Sequence, residues 1–117
     1  MNIEMIEKST TRSYVCHGAT LECSNGSLPC KLQLPIGHGV YLRDKKQANI
    51  DDYKSMFNVL PFGICSVTGN PCVPAIVMKW INGKEDVIIE SDLALLNISV
   101  NVCSLGGLIT IIDDGQL

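Results

Sequence analysis

Strand-like alternation runs through most of this chain. Its clearest instance lies near the C-terminus, where Ile98, Val100 and Val102 alternate with Asn97, Ser99 and Asn101. Strict period two predicts a half-buried strand, because successive side chains point to opposite faces. Gly106-Gly107 then breaks the chain, and Leu108-Ile109-Thr110-Ile111-Ile112 reads as the partner strand. A second hairpin is predicted where the run from Val77 to Ile81 meets Asn82-Gly83, followed by Val87 to Glu90. Asn-Gly suits a primed turn, whose two central residues both need positive φ. Lys31 to Pro35 and Gly39 to Leu42 are weaker strands. Residues 43–58 are the most polar stretch and are expected to form an excursion on the sheet. Asp51 stands where the cap of a short helix would sit, but the apolar spacing beyond it is too poor to predict one. Residues 1–12 are polar and irregular and are expected to form a flexible N-terminal tail, with one domain over 13–117. The fold class is all-β.

Charge and length narrow the choice of partner. A chain of 117 residues has room for one domain with a modest core. Net charge is −3, and the densest basic stretch is Arg43-Asp44-Lys45-Lys46. There is no electrostatic footprint for nucleic acid or an anionic membrane. The start, Met1 to Lys8, carries charges where a signal peptide needs an apolar run. No apolar stretch approaches the ~20 residues of a membrane anchor. Synthesis in the cytosol is therefore expected, with any export by a route that reads no cleavable signal.

Six cysteines change the picture: Cys16, Cys23, Cys30, Cys65, Cys72 and Cys103. An even count suits disulfides in an exported protein, whereas a reducing cytosol favours metal binding or catalysis. No Cys-x-x-Cys pair occurs. Instead, Cys-Ser followed shortly by glycine occurs three times: Cys23-Ser24-Asn25-Gly26, Cys65-Ser66-Val67-Thr68-Gly69 and Cys103-Ser104-Leu105-Gly106. A tight glycine turn after a cysteine presents the sulfur to backbone N–H groups. Three such turns at near-equal spacing predict an approximate threefold arrangement meeting at one point.

Enzymatic constellations are thin. The histidines, His17 and His38, sit in no catalytic signature, and Gly37-His38-Gly39 reads as a turn. Cys16 and His17 are adjacent, so on a strand they point to opposite faces and do not form a nucleophile–base pair. Asp113-Asp114-Gly115 lacks the spaced oxygen ligands of a calcium loop. No catalytic residue is assigned, and the chain is not expected to be an enzyme.

Several separate motifs carry a family resemblance. Tyr14-Val15-Cys16-His17-Gly18-Ala19-Thr20-Leu21-Glu22-Cys23-Ser24-Asn25-Gly26 resembles the opening of the PAAR-like proteins of bacterial contractile injection systems. Ala48-Asn49-Ile50-x-Asp52, Asn58-Val59-Leu60-Pro61-Phe62-Gly63-Ile64-Cys65 and Pro71-Cys72-Val73-Pro74 resemble the family's middle. Cys103-Ser104-Leu105-Gly106-Gly107, with Ile109 to Ile112 and Asp114-Gly115-Gln116, is similar to its ending. The resemblance covers residues 14–116. The Pro-Ala-Ala-Arg motif that names the classical family is absent.

The resemblance implies a small conical domain of β-hairpins with a metal near its apex, capping the trimeric spike of a type VI secretion-like machine. It implies one copy per spike trimer, effector proteins as further partners, and a route from the bacterial cytoplasm onto the spike and out of the cell. Four cysteines fall at the family's positions, so the implied ligands of a structural zinc are Cys23, Cys65, Cys72 and Cys103. Cys16 and Cys30 stay outside that set, and the residues leave open whether they, His17 or His38 join it. Two other classes remain: a small extracellular disulfide-bonded binding module, and an enzymatic effector using Cys16 or His38.

Overall fold

The computed structural model describes residues 12–116, and within them every regular element is a β-strand. Apart from Arg12, the stretch expected to be a tail lies outside the described residues. Strands are β1 (Thr20–Cys23), β2 (Cys30–Lys31), β3 (Tyr41–Leu42), β4 (Lys45–Lys46), β5 (Lys84–Ile89), β6 (Asp92–Ala94), β7 (Val100–Val102) and β8 (Leu108–Asp113). A four-stranded sheet has the order β2-β1-β8-β7, and β3-β4 and β5-β6 are separate antiparallel hairpins. The all-β expectation holds.

The strongest organising feature is not a sheet. Three five-residue segments, 13–17, 46–50 and 93–97, meet in a closed triangle. At its centre the Val15 amide donates to the Leu95 carbonyl (3.1 Å), Leu95 to Ala48 (3.1 Å), and Ala48 back to Val15 (2.9 Å). Two residues further out the pattern repeats. The His17 amide donates to Lys46 (2.8 Å), Ile50 to Leu93 (2.9 Å), and Asn97 to Ser13 (3.0 Å). Each segment pairs through one half with one neighbour and through the other half with the next. Val15, Ala48 and Leu95 are all fully buried. This is approximate threefold symmetry within one chain, built on three segments with no sequence likeness.

From the triangle, the β1–β8 ladder runs on to the turn at Cys23. Thr20 pairs with Asp113 near the triangle, and Cys23 pairs with Ile109 at the far end. Between them lies an apolar core that includes Ala19, Leu21, Leu32, Leu34, Val59, Phe62, Trp80 and Ile109. No buried side-chain nitrogen or oxygen among the described residues lacks a partner.

The C-terminal hairpin forms as predicted, with Val100 opposite Thr110 and Val102 opposite Leu108. Its buried face is the polar one. Ser99 and Asn101 are fully buried, while Val102 is 42% exposed. Irregular neighbouring backbone explains the inversion. Ser99 Oγ donates to the Asn82 carbonyl and accepts from the Leu96 amide, and Asn101 Nδ2 donates to the Met78 carbonyl. Backbone that lies outside any ladder needs partners, and short polar side chains supply them.

The predicted hairpin at Asn82-Gly83 is corrected. Asn82 does take positive φ (72°), but Val77 to Ile81 forms no strand, and Ile81 bridges Val100 instead. β5 pairs with β6 across a turn at Glu90, itself at φ 64°. The polar stretch 43–58 contains no helix. It opens with Arg43 and Asp44, both at positive φ, as the two-residue turn of the β3–β4 hairpin, and it then supplies one arm of the triangle.

Candidate metal centre

The three Cys-Ser-glycine turns sit together at the Cys23 end of the β1–β8 ladder, and each is closed by its glycine. A glycine amide returns to the cysteine carbonyl: Gly26 to Cys23 (3.0 Å), Gly69 to Cys65 (2.8 Å) and Gly106 to Cys103 (2.8 Å). Gly69 and Gly106 take φ of 70° and 97°, a conformation other residues rarely adopt. The serine amides then tie the turns to their neighbours. Ser24 donates to Leu108 (2.9 Å), Ser66 to Asn25 (2.8 Å), and Ser104 to Ala75 just beyond Cys72 (2.9 Å).

The thiols follow their turns. Cys23, Cys65, Cys72 and Cys103 are all buried. Cys65 is the best supported. The backbone N–H groups of Thr68 and Val67, and then the Thr68 and Cys72 side chains, hold it below the usual cysteine value. This is the turn-supported sulfur that the Cys-Ser-glycine motif predicts. Cys72 behaves oppositely. Burial, and then the charges of Cys23, Cys65 and Cys103, push it up to about 11. Cys72 thus lies within electrostatic reach of the other three. Cys23 is also locked to the third turn, because a Cβ on Gly107 would stand 2.6 Å from its sulfur.

The remaining candidates have other partners. Cys16 donates its thiol to the Asp114 carbonyl, and His17 Nδ1 accepts the Leu34 amide (2.9 Å), both at the triangle end. His38 lies between Asp52 and Glu90. Cys30 is half-buried beside Cys23; burial raises its thiol, and the Leu60 N–H partly offsets this. Sequence spacing alone does not reveal this closeness, because it arises from the pairing of Cys30 with Leu21 across β1–β2. All six cysteines are free thiols.

As they stand, no three His, Cys, Asp or Glu side chains among the described residues are placed to hold a metal ion together. The four thiols are gathered but not opened around a centre. The donor chemistry still suits a soft tetrahedral ion: four sulfurs, an apolar lining and one sulfur already carrying backbone donors. A cation among them would reverse the repulsion that raises Cys72.

Residues 15–116 match the family described as a domain of unknown function, DUF4280. The chain belongs to this family. No curated protein and no solved structure matches it. The match takes in both ends of this DUF4280 domain, from the triangle arm at Val15 to the turn at Cys103 and the closing strand β8. Aliphatic side chains stay exposed around the thiol end, among them Leu28, Ile64, Val67, Val73 and Leu105.

Proposed function

We propose that this DUF4280 domain is a non-enzymatic, PAAR-like tip protein that caps the trimeric spike of a type VI secretion-like contractile injection machine. The observation that carries this reading is the closed triangle of segments 13–17, 46–50 and 93–97. A single chain that meets a threefold partner on its axis needs three nearly equivalent faces, or two of the partner's subunits go unmatched. Six backbone hydrogen bonds in two cyclic sets of three give this chain that symmetry without a repeated sequence. The outer positions of the arms, Ser13, His17, Lys46, Ile50, Leu93 and Asn97, are half-buried and in reach of a partner.

At the other end, Cys23, Cys65, Cys72 and Cys103 would hold a structural zinc. A narrow end has too little volume for an aliphatic core, and thiolate–zinc bonds contribute on the order of 10 kcal/mol to folding. The turn amides at Cys65 orient its sulfur in advance. In this reading the domain is made in the bacterial cytoplasm, joins the spike and leaves the cell with it, and effector proteins bind it non-covalently.

Co-expression with a trimeric contractile-injection spike protein from the same genome, followed by native mass spectrometry, tests the assignment. One domain per spike trimer is the expected stoichiometry. Three-to-three binding, or no binding, overturns it.

A further inference from the structure

His38 has both ring nitrogens engaged by carboxylates from distant parts of the chain. Nδ1 contacts Glu90 Oε1 (2.5 Å), and Nε2 contacts Asp52 Oδ2 and Oδ1 (2.8 and 3.0 Å). A neutral imidazole has one N–H and can donate to only one of them; only the imidazolium donates to both. The three residues belong to the 35–39 loop, the segment just after the 46–50 arm, and the turn just before the 93–97 arm. Asp52 is buried and already accepts the Asn49 amide (2.8 Å). Glu90 sits at the left-handed turn of β5–β6, a conformation that the surrounding structure must hold in place.

We propose that His38 is a proton-operated latch: its imidazolium, clasped by Asp52 and Glu90, fastens the 35–39 loop across two arms of the triangle and releases it when the proton is lost. The other charges around it are paired or turned elsewhere. Asp51, beside Asp52, pairs with Lys54, and Asp92, beyond Glu90, pairs with Lys79. Lys46 packs its stem against Gly37 and donates to the Leu34 and Pro35 carbonyls, so it anchors the start of the loop at any pH where lysine is charged. His17 holds the Leu34 amide at the loop's root. Beyond Pro35, His38 is the loop's link to the two carboxylates. In the folded chain burial pushes its imidazole down, but the hydrogen bonds and charges of Glu90 and Asp52 outweigh burial and leave it above 6.5.

The chain carries its own reporter. Trp80, its single tryptophan, donates its indole N–H to the Asp52 carbonyl (2.9 Å). The experiment follows Trp80 emission and the NMR backbone order parameters of Gly37, His38 and Gly39 from pH 5 to 9 in the full chain, in H38Q and in E90Q. In the wild type both signals should change together with a midpoint above 6.5, the loop order parameters falling from about 0.85 to below about 0.6 on the alkaline side. H38Q should show a loosened loop throughout and no transition, and E90Q should shift the midpoint downward. A transition that survives in H38Q, or an E90Q midpoint equal to that of the wild type, overturns the latch. E90Q alters only an exposed carboxylate, so it decides the question even if H38Q does not fold.

Discussion

The Cys23 sulfur lies where a side chain on Gly107 would begin: a Cβ at that position would approach it to 2.6 Å. Contacts that close are not found between real Cβ atoms and their neighbours, so the sulfur or the third turn would have to move. Gly107→Ala should therefore destabilise the domain by about 1–3 kcal/mol, as overpacking does. It should also loosen the thiol group. Chemical denaturation and a zinc-binding titration of the variant would show both effects, and an unchanged midpoint would contradict the packing described.

Metal content should separate the four gathered cysteines from the other two. Zinc at one per chain is expected by elemental analysis, with a marked loss in Cys23→Ser, Cys65→Ser, Cys72→Ser and Cys103→Ser. Cys16→Ser and Cys30→Ser should retain it. Full zinc occupancy in both Cys65→Ser and Cys103→Ser would sink this ligand set. Chelation of the wild type should lower its melting temperature, since metal binding is folding free energy.

Asn101 is a place where hydrophobicity and structure give opposite answers. Asn101→Leu puts an aliphatic side chain into a buried position, which a purely apolar core would welcome. Here it strips the partners from the Met78 carbonyl and the Val102 amide, which bond to Nδ2 and Oδ1. A loss of about 0.5–1.5 kcal/mol is expected, the net worth of a hydrogen bond at half-exposed backbone such as this. Should the N101L variant melt higher than the wild type, the polar face does not bury as described.

Global stability should also carry the His38 signature. Because its folded-state value lies above 6.5, its contribution is present in full below 6.5 and is lost as pH rises through the folded value. Burial pushes Asp52 up, against the opposing Asn49 amide and His38, so the clasp weakens again in acid when Asp52 takes a proton. The melting temperature of the wild type relative to H38Q should thus peak between these two titrations. A difference that stays flat from pH 5 to 9 would speak against a stabilising clasp.

Much of this was legible in the sequence wherever a local rule decided the outcome. Gly106-Gly107 marks the final hairpin, and the Cys-Ser-glycine turns mark where three of the four thiols gather, because turn chemistry is local. Cys72 joins them through the Ile64–Pro71 bridge; the resemblance supplied its membership of the set, whereas spacing alone gives neither. The triangle left no trace. Its arms read Ser-Tyr-Val-Cys-His, Lys-Gln-Ala-Asn-Ile and Leu-Ala-Leu-Leu-Asn. All it asks of them is a backbone able to donate one way and accept the other, with a small or aliphatic side chain at the centre. The same holds for the buried Ser99 and Asn101, which donate to the carbonyls of Asn82 and Met78, 17 and 23 residues away. Alternation reports that a strand has two faces, and packing chooses which one is inside.

The triangle also dictates an order of events. Any two arms brought together can form two of the six cyclic hydrogen bonds, whereas the third arm brings four when it docks. The gaps to be closed are long, from Val15 to Ala48 and from Ala48 to Leu95, so the entropic cost falls early and most of the reward comes late. A chain wired this way should fold slowly and in one step. Interrupting the stretch between Ala48 and Leu95 should cost far more than the few bonds it touches, because the last arm is the one that closes the loop on the other two.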